Sequence, residues 1–511
     1  MTRPWLEPLY AADEMRALDR WAIEREGVPS LELMERAGGE VARAITELSP
    51  AGPVRIVCGR GNNGGDGLVV ARLLRDGGLD ADALLLFAPD DLSPDARANF
   101  DRTEAREVSA ADLASALEGS AVVVDAVLGT GFSGSPRAPL DAAIEAINSS
   151  GATVVAVDVP SGVDASTGEV EGARVHADLT ITFQSHKVGL WVAPGKFHAG
   201  RVEAVDIGIP PAGEGRPPGP EIGLIRPAVL DLPPRRAPGG NKFRSGSVLV
   251  VGGSTGLTGA VCMACEGSMR AGAGWVRAAV PASLNQVFEV KLTEVMSIPL
   301  PDDEGHLLED GGGAVLEAAE RADAVVVGPG LGREGTSFAL AQRLIREVDR
   351  PLLVDADGLN ALAAAELAPA VGRKAPLVLT PHAGELGRLL GRSSADIEAR
   401  RLASAREAAE RARAVVVLKG DDTIVATPGP GDLAVNPGGS PALATAGTGD
   451  VLSGVIAALL ARGLDAFESA CAGVYAHAEA GREAARRLGA ESVIAGDVIE
   501  ALPVALRSTR G

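Results

Sequence analysis

Short, almost wholly apolar runs alternate with stretches of helical periodicity along most of this chain, and that alternation narrows the fold more than any other feature. In the first part, Val54–Cys58, 83–87, 121–125, 154–157 and Leu179–Phe183 read as strands. In the second, Ser247–Val251, 276–280, Ala324–Val327, Leu352–Val354, 377–380 and Val415–Leu418 do the same. Strands apolar on both faces and separated by helices pack into parallel sheets covered on both sides. Helices are expected over 11–27, around 31–38, and over 314–321, 337–347, 399–411, 451–461 and 466–486, where apolar residues recur at three- and four-residue spacing. The expected class is α/β, with a doubly wound, Rossmann-like sheet in the N-terminal part and a second α/β domain after it.

The two patterns part between Pro210 and Pro238, where nine prolines and several glycines interrupt the periodicity. Domains are therefore expected at 1–210 and 239–511, joined by a Pro/Gly-rich linker at 211–238. Within that linker Ile222, Leu224, Ile225, Val229 and Leu230 form a small apolar island able to pack. A chain of 511 residues has room for more than one domain, and 46% hydrophobic content supplies their cores. The formal net charge of −20 argues against nucleic acid or an anionic membrane surface as partner. Four cysteines make no disulfide framework; Cys262 and Cys265, a lone C-x-x-C, are expected on a buried helix face rather than around zinc. Charges run through the N-terminal residues without the apolar core of a secretory signal, and no apolar run reaches the ~20 residues that span a bilayer. A cytoplasmic protein, with a homo-oligomer as its assembly, is expected.

Ligands of open α/β sheets bind outside the carboxyl ends of the strands, so the loops there carry the chemistry. Gly59, Gly61 and Gly64 formally satisfy G-x-G-x-x-G between a strand and the helical stretch from Leu68. The acid that completes a dinucleotide fingerprint is missing: Asp82 precedes the second strand and Asp90 lies beyond it. Asn62, Asn63 and Asp66 instead suggest a polar pocket, or oxygen ligands for a cation. Asp125 ends the third long strand and leads into Gly129, Thr130, Gly131, Phe132, Ser133, Gly134 and Ser135, a second loop fit for phosphate. The next strand leads into Asp158 and Ser161. Asn63, Asp125 and Ser161 together offer hard oxygen ligands to a monovalent cation, and Asp158 an acid–base group. Each aspartate alone reads first as a turn or helix cap, and it is three polar strand ends in one sheet that point to a site.

In the second part, Thr445-Ala446-Gly447-Thr448-Gly449-Asp450 sits where a turn gives way to a helix. Unpartnered helix-start N–H groups and the dipole make an anion site there, with Asp450 either a helix-start carboxylate or a general base. Segments 328–332, 355–360, 380–385 and 419–423 are further strand–loop junctions pointing the same way. No G-x-x-x-x-G-K-[ST] is present, which excludes a P-loop enzyme. His382 is a site residue or a loop histidine, His477 is expected to be structural, and Lys419 serves phosphate or ends a strand. Asp355 and Asp357 are not assigned to one metal, and Asp421-Asp422 is expected as a solvated turn.

Leu33-Met34-Glu35-Arg36-Ala37-Gly38, the 62–66 loop, the 129–135 loop and Asp158-Val159-Pro160-Ser161-Gly162 together resemble the YjeF N-terminal domain, the NAD(P)H-hydrate epimerase, over about residues 5–210. The resemblance implies that Asn62, Asn63, Gly64, Gly65, Asp66 and Gly129 to Ser135 bind a hydrated nicotinamide nucleotide. It also implies potassium at Asn63, Asp125 and Ser161, and Asp158 in the site that exchanges R and S hydrates. Segments 328–332, 355–360, 380–385, 419–423 and 446–450 resemble the YjeF C-terminal domain, the NAD(P)H-hydrate dehydratase of the ribokinase-like superfamily, over about residues 235–505. One departure is Asn241-Lys242-Phe243, where the family pattern has His-Lys-Tyr. This second resemblance implies that Lys419, Gly420, Asp421, Asp422, Thr423 and Gly449 contact the nucleotide, and that Gly330, His382 and Asp450 contact the hydrate. ADP, with ATP as the alternative, would be the phosphoryl donor, Mg2+ would accompany it, and Asp450 would deprotonate the hydroxyl. A bifunctional repair enzyme is expected. A ribokinase-like small-molecule kinase fused to a nucleotide-binding domain, and a non-catalytic nucleotide sensor in the first half, remain the alternatives.

Overall fold

Each apolar run of the first part lies beside parallel neighbours in a computed structural model, which describes residues 3–236 and 245–507. Asn241-Lys242-Phe243 falls outside the described residues. The seven-stranded sheet runs in the order Ala105–Glu107, Ala81–Leu85, Val54–Cys58, Val122–Ala126, Thr153–Val157, Leu179–Phe183, Arg201–Val205. In chain order of these strands that is 3-2-1-4-5-6-7, and the order reverses between Val54–Cys58 and Val122–Ala126, the switch point beside which open sheets bind ligands. Alternate residues of the strands face opposite layers. Ile56, Val124 and Val155 pack with the helices Ala12–Glu24, Ser30–Glu47 and Asn62–Asp76. Val57, Val123 and Val154 pack with Ala110–Leu117 and Leu140–Asn148. The unit is doubly wound, as the apolar runs imply.

Two local expectations need correcting. The second strand is Ala81–Leu85, not 83–87, because its register sets Ala81 opposite Val54 and Leu85 opposite Cys58. Asp82 is thus inside the strand, 3.7 Å from Arg55, rather than ahead of it. The 62–66 segment is likewise no loop: the helix starts at Asn62, six residues before Leu68. Glycine disfavours helix intrinsically, but packing overrides that here. A Cβ on Gly64 would lie 1.9 Å from Gly59 O, and one on Gly67 would lie 2.6 Å from Ala126 Cβ.

The second compact unit is built from the residues up to Glu7 together with those from Gly223 onward, while Pro8–Ile222 makes the first. Its 11-stranded sheet runs Leu6–Pro8, Ile222–Ile225, Leu433–Val435, Ile424–Ala426, Val415–Leu418, Leu377–Leu379, Leu352–Val354, Ala324–Val327, Ser247–Val251, Trp275–Pro281, Met296–Leu300. The stretch from Val415–Leu418 to Met296–Leu300 is parallel, as expected for a buried α/β sheet. Ile424–Ala426 and Leu433–Val435 return antiparallel, which the apolar pattern did not disclose. The boundary also differs from the composition. Ile222–Ile225, inside the proline-rich stretch, is a buried strand, and Arg226 N donates to Trp5 O at 2.9 Å. Trp5 packs 6.0 Å from Phe467, and Arg3 binds Asp432 and Glu468, each at 2.7 Å.

Small residues set the helix that matters most. Thr258–Arg270 carries buried Cys262 and Cys265, both free, and crosses Thr448–Ala461 so closely that a Cβ on Gly454 would fall 2.0 Å from Ala264 O. Ser268 Oγ donates to Gly454 O at 3.0 Å across the same crossing. This contact fixes where the helix start at Thr448 points. Among the described residues no helix is long and apolar enough to cross a membrane.

Candidate active sites

In the first unit the loops at the carboxyl ends meet beside the switch point. The turn after Val122–Ala126 is held from three sides. Asn63 Nδ2 donates to Leu128 O at 2.9 Å, Leu128 N donates to Ser161 Oγ at 2.8 Å, and Ser161 Oγ donates to Asp125 Oδ1 at 2.6 Å. Asn63, Asp125 and Ser161 therefore lie around one turn. Asp125 is wholly buried, and burial pushes its carboxyl up to about 6 against the hydrogen bonds from Ser161 and Val127. Those partners are all neutral donors, so the cradle holds oxygen ligands around a buried acid that no cationic side chain among the described residues is seen to pair with. That donor set fits a weakly bound monovalent cation. Gly129 closes against it, since a Cβ there would lie 3.0 Å from Asn63 Oδ1. Thr130 and Phe132 are half-buried and Gly131, Ser133, Gly134 and Ser135 are exposed.

One strand further on, Asp158 adopts φ 65°, a left-handed backbone that aspartate tolerates better than most residues. Four contacts hold it: its N–H donates to Ile181 O at 2.8 Å, and Oδ1 receives Thr182 Oγ1 at 3.1 Å, Phe183 N at 3.2 Å and Lys187 Nζ at 2.7 Å. Lys187 is 1% exposed and also donates to Phe183 O at 2.6 Å. It carries no motif, and only the tertiary contact reveals it. Asp66 and Asp19 share its surroundings. Burial, then the charges of Asp158 and Asp19, push the Asp66 carboxyl well above its usual range, and burial with Asp158 raises Asp19 to about 6. Asp19, Asp66 and Asp158 thus surround one ammonium, and burial favours the neutral form of Asp66 relative to an exposed carboxyl. Asn62 sits at the rim, where its Oδ1 accepts from Ser93 Oγ at 2.8 Å, and Gly64 and Gly65 are buried in the helix start.

In the second unit the helix begins at Thr448, three residues earlier than its apolar face suggests. Gly449 and Asp450 are consequently in its first turn, and Thr448 Oγ1 ties the start back to Leu443 O at 2.8 Å and Thr445 O at 2.9 Å. Gly447 makes the entry at φ 90°, with Met263 Sδ only 2.4 Å from where a Cβ would sit. A Cβ on Gly449 would face Lys419 Nζ at 3.5 Å, so an anion at this helix start meets an ammonium as well as amides. Lys419 Nζ lies 3.0 Å from Asp355 Oδ1 and 3.7 Å from Glu385 Oε2. Burial works against its charge, but Asp355, Glu385 and Asp450 outweigh that and raise it above the ordinary range. Burial, followed by the like charges of Asp355, Glu385 and Asp357, raises Asp450 to about 7 despite Lys419.

Asp355 and Asp357 have separate partners. Ala356 between them takes φ 49°, turning Asp355 inward to Lys419 and to Ser453 Oγ at 2.7 Å, while Asp357 accepts from Gly332 N at 3.1 Å and Asn360 Nδ2 at 3.0 Å. His382 caps a helix: its Nδ1 accepts from Gly384 N at 3.0 Å and Glu385 N at 3.3 Å, which assigns the proton to Nε2. Burial lowers its basicity although Glu385 opposes this, so the ring is a neutral donor beside the Lys419 cluster. His477 is buried behind the helix start in Ala466–Leu488, and burial lowers it to about 4. Gly330 takes φ 60°, with Leu257 O 2.4 Å from where a Cβ would sit.

The 419–423 segment is not a solvated turn throughout. Asp422 is 1% exposed and binds Arg401, whose equally buried guanidinium also reaches Lys419 O at 3.2 Å. The Asp422 carboxylate is therefore committed to Arg401, and a ligand would meet this residue through its backbone. Gly420 N donates to Thr423 Oγ1 at 3.2 Å, closing the turn, while Asp421 Oδ1 accepts from Gly439 N at 3.1 Å. Arg401 had no sequence signal, since its partners lie in another element. Arg401→Met strands a buried carboxylate, so it is expected to destabilise this unit by about 3–5 kcal/mol. Thermal unfolding followed by circular dichroism should show one lowered transition, and Arg401→Met/Asp422→Leu should recover much of it.

Comparison with known proteins gives two matches that divide the chain. Residues 30–189 match the family described as YjeF-related protein N-terminus, and residues 248–504 the family described as NAD(P)H-hydrate dehydratase. The bifunctional NAD(P)H-hydrate repair enzyme of Moorella thermoacetica is 41% identical, covering 98% of this chain and 97% of its own. That of Salinibacter ruber is 41% identical over 97% of this chain and 95% of its own. Among solved structures, an ADP/ATP-dependent NAD(P)H-hydrate dehydratase from Bacillus subtilis is 28% identical, covers 54% of this chain and 94% of its own, and superposes with a TM-score of 0.47.

Proposed function

We propose that this chain, which belongs to the family of bifunctional NAD(P)H-hydrate repair enzymes, epimerises hydrates at Asp158 and dehydrates the S form at Asp450 with ADP as phosphoryl donor. The family pairs an epimerase domain with a nucleotide-dependent dehydratase domain. The observation that carries the proposal for the second site is the helix start at Thr448, where amides, the Lys419 ammonium and a carboxyl raised to about 7 converge.

In the proposed dehydration, Lys419 and the amides of Gly447 to Gly449 receive the donor's terminal phosphate, with Gly420 to Thr423 along the rest of the nucleotide. Gly330 and His382 position the hydrate. Asp450 takes the hydroxyl proton as that oxygen attacks the terminal phosphorus of ADP and AMP departs. Phosphate then leaves the ring carbon with the C–O electrons, pushed by the ring nitrogen, and loss of a proton from the adjacent carbon re-forms the double bond. Donors aimed at the transferring group are worth ~3 kcal/mol each. Magnesium bound on the donor's phosphates would supply further charge neutralisation.

In the proposed epimerisation, the 62–66 and 129–135 segments, Asp66 among them, hold the nucleotide while Asp158 serves as the acid–base group at the hydroxyl-bearing carbon. Asn63, Asp125 and Ser161 would hold potassium, which supplies a fixed positive charge beside the 129–135 loop. The test is recovery of dihydronicotinamide absorbance from an R/S hydrate mixture with ADP. In potassium buffer the whole mixture is recovered. With tetramethylammonium replacing potassium, epimerisation falls about 10–100-fold, so recovery stalls once the S form is gone. No recovery with either ADP or ATP would sink the proposal, and equal recovery in both buffers would remove potassium from it.

A further inference from the structure

We infer that Arg60 and Phe87 form the subsite for the adenosine end of the epimerase substrate, and that Arg60 recognises a 2′-phosphate there. The inference rests on the first site being the hydrate site, and extends it to which dinucleotide is preferred.

Three observations lead there. The glycines of the first turn divide their work. A Cβ on Gly59 would strike Val127 O at 2.0 Å and one on Gly64 would strike Gly59 O at 1.9 Å, whereas Gly61 has nothing within 4 Å. Two glycines thus tighten the turn and seat the helix on the sheet, and the third leaves open backbone at the helix start. That is the division a pyrophosphate cradle needs.

The second observation is the direction in which a dinucleotide must lie. Asp158 follows Thr153–Val157, and from there the sheet order passes Val122–Ala126 and Val54–Cys58 to Ala81–Leu85. Three strand spacings of ~4.8 Å separate the ends of that path. A ligand with its nicotinamide at Asp158 and its pyrophosphate at Gly61 sends its adenosine toward the end of Ala81–Leu85.

At that end stand the two residues in question. Cys58 and Leu85 are opposite in register, so Arg60 and Phe87, each two residues past the strand, lie side by side. The Arg60 guanidinium is 5.5 Å from the Phe87 ring centroid. Main-chain bonds hold both turns: Leu86 N donates to Cys58 O at 3.2 Å and Ser93 N to Arg60 O at 2.8 Å. The nearby Arg97 is paired with Asp90 at 3.0 Å and Asp101 at 3.1 Å, while the contact of the Arg60 guanidinium among the described residues is the aromatic face. No acid ends this strand, where a carboxylate would hold a free ribose 2′-hydroxyl and repel a phosphate. A guanidinium stacked on a ring offers a flat surface for adenine and a fork of donors for a phosphate monoester.

The experiment uses the full chain without ADP, so that the dehydratase is idle, and follows R-to-S conversion chromatographically for NADPH hydrate and NADH hydrate. The wild type should prefer NADPH hydrate, less so at high salt. In Arg60→Ser the ratio of kcat/KM for the two hydrates should fall roughly tenfold to a hundredfold, through KM for NADPH hydrate. An unchanged ratio, or equal losses with both hydrates, overturns the subsite while leaving the epimerase assignment standing. A wild type that converts neither hydrate overturns both.

Discussion

Asp450→Asn is expected to slow dehydration by ~10²–10⁴-fold while R and S hydrates still interconvert at the wild-type rate. The carboxyl is in the first turn of the Thr448–Ala461 helix and is raised to about 7 by burial and by Asp355, Glu385 and Asp357. A base is most effective when its proton affinity is near the working pH. The ionised form is the active one, so dehydration should rise with pH through about 7 and level off above it. Stability runs the other way. The folded chain keeps a proton on Asp450 that the unfolded chain loses near 3.8, so stability falls as pH rises from about 4 through about 7. Asparagine never acquires that charge. The variant should therefore be more stable than the wild type at pH 8, by ~2 kcal/mol, and unfold at a higher temperature. Lost dehydration with a raised melting temperature identifies a removed base. A lowered melting temperature, or loss of both activities, would show that the residue supports the fold instead.

Asp158→Asn is expected to remove epimerisation to a similar extent, ~10²–10⁴-fold, leaving dehydration of pure S hydrate unaffected. Asparagine is the informative replacement, because it tolerates the φ of 65° that alanine would strain against. The substitution has a second effect. Lys187, 1% exposed, loses the carboxylate it contacts at 2.7 Å and keeps only the more distant influence of Asp19 and Asp66. Breaking such a buried pair costs about 3–5 kcal/mol, so the variant should also be less stable. Asp158→Asn/Lys187→Met separates the two effects, since it removes both charges. Stability should return and epimerisation should not. If activity returned with stability, Asp158 would be a structural partner of Lys187 and the acid–base group would lie elsewhere.

The sheets were legible where strands are long and apolar on both faces, as at Val54–Cys58 or Ser247–Val251, because burial on both sides leaves no choice of residue type. Ile424–Ala426 and Leu433–Val435 were not: they return antiparallel with no helix between them, so the strand–helix alternation did not mark them. The helix start at the first glycine-rich motif was misplaced because Gly64 and Gly67 look like breakers in isolation, but each sits where the surrounding chain leaves no room for a Cβ. In the sites, residues clustered at strand ends could be read from position and motif, and Asn63, Asp125 and Ser161 do lie around one turn. Lys187 and Arg401 could not. Their importance lies in a single buried partner, Asp158 or Asp422, and pairing across elements leaves no local pattern.

The strand Leu6–Pro8 has a consequence in time. It is translated well ahead of its partners, and Arg3 meets Asp432 and Glu468 only after 429 and 465 further residues have been added. At ~5–20 residues per second, the strand stays unplaced for tens of seconds, long enough for the Pro8–Ile222 unit to fold in the meantime. Residues translated ahead of the Pro8–Ile222 unit are thus seated after it, and they close the edge of a sheet whose other strands emerge after them. A gene cut within codons 211–238 would yield a dehydratase lacking that edge, so the two activities are joined by order of synthesis as well as by a linker.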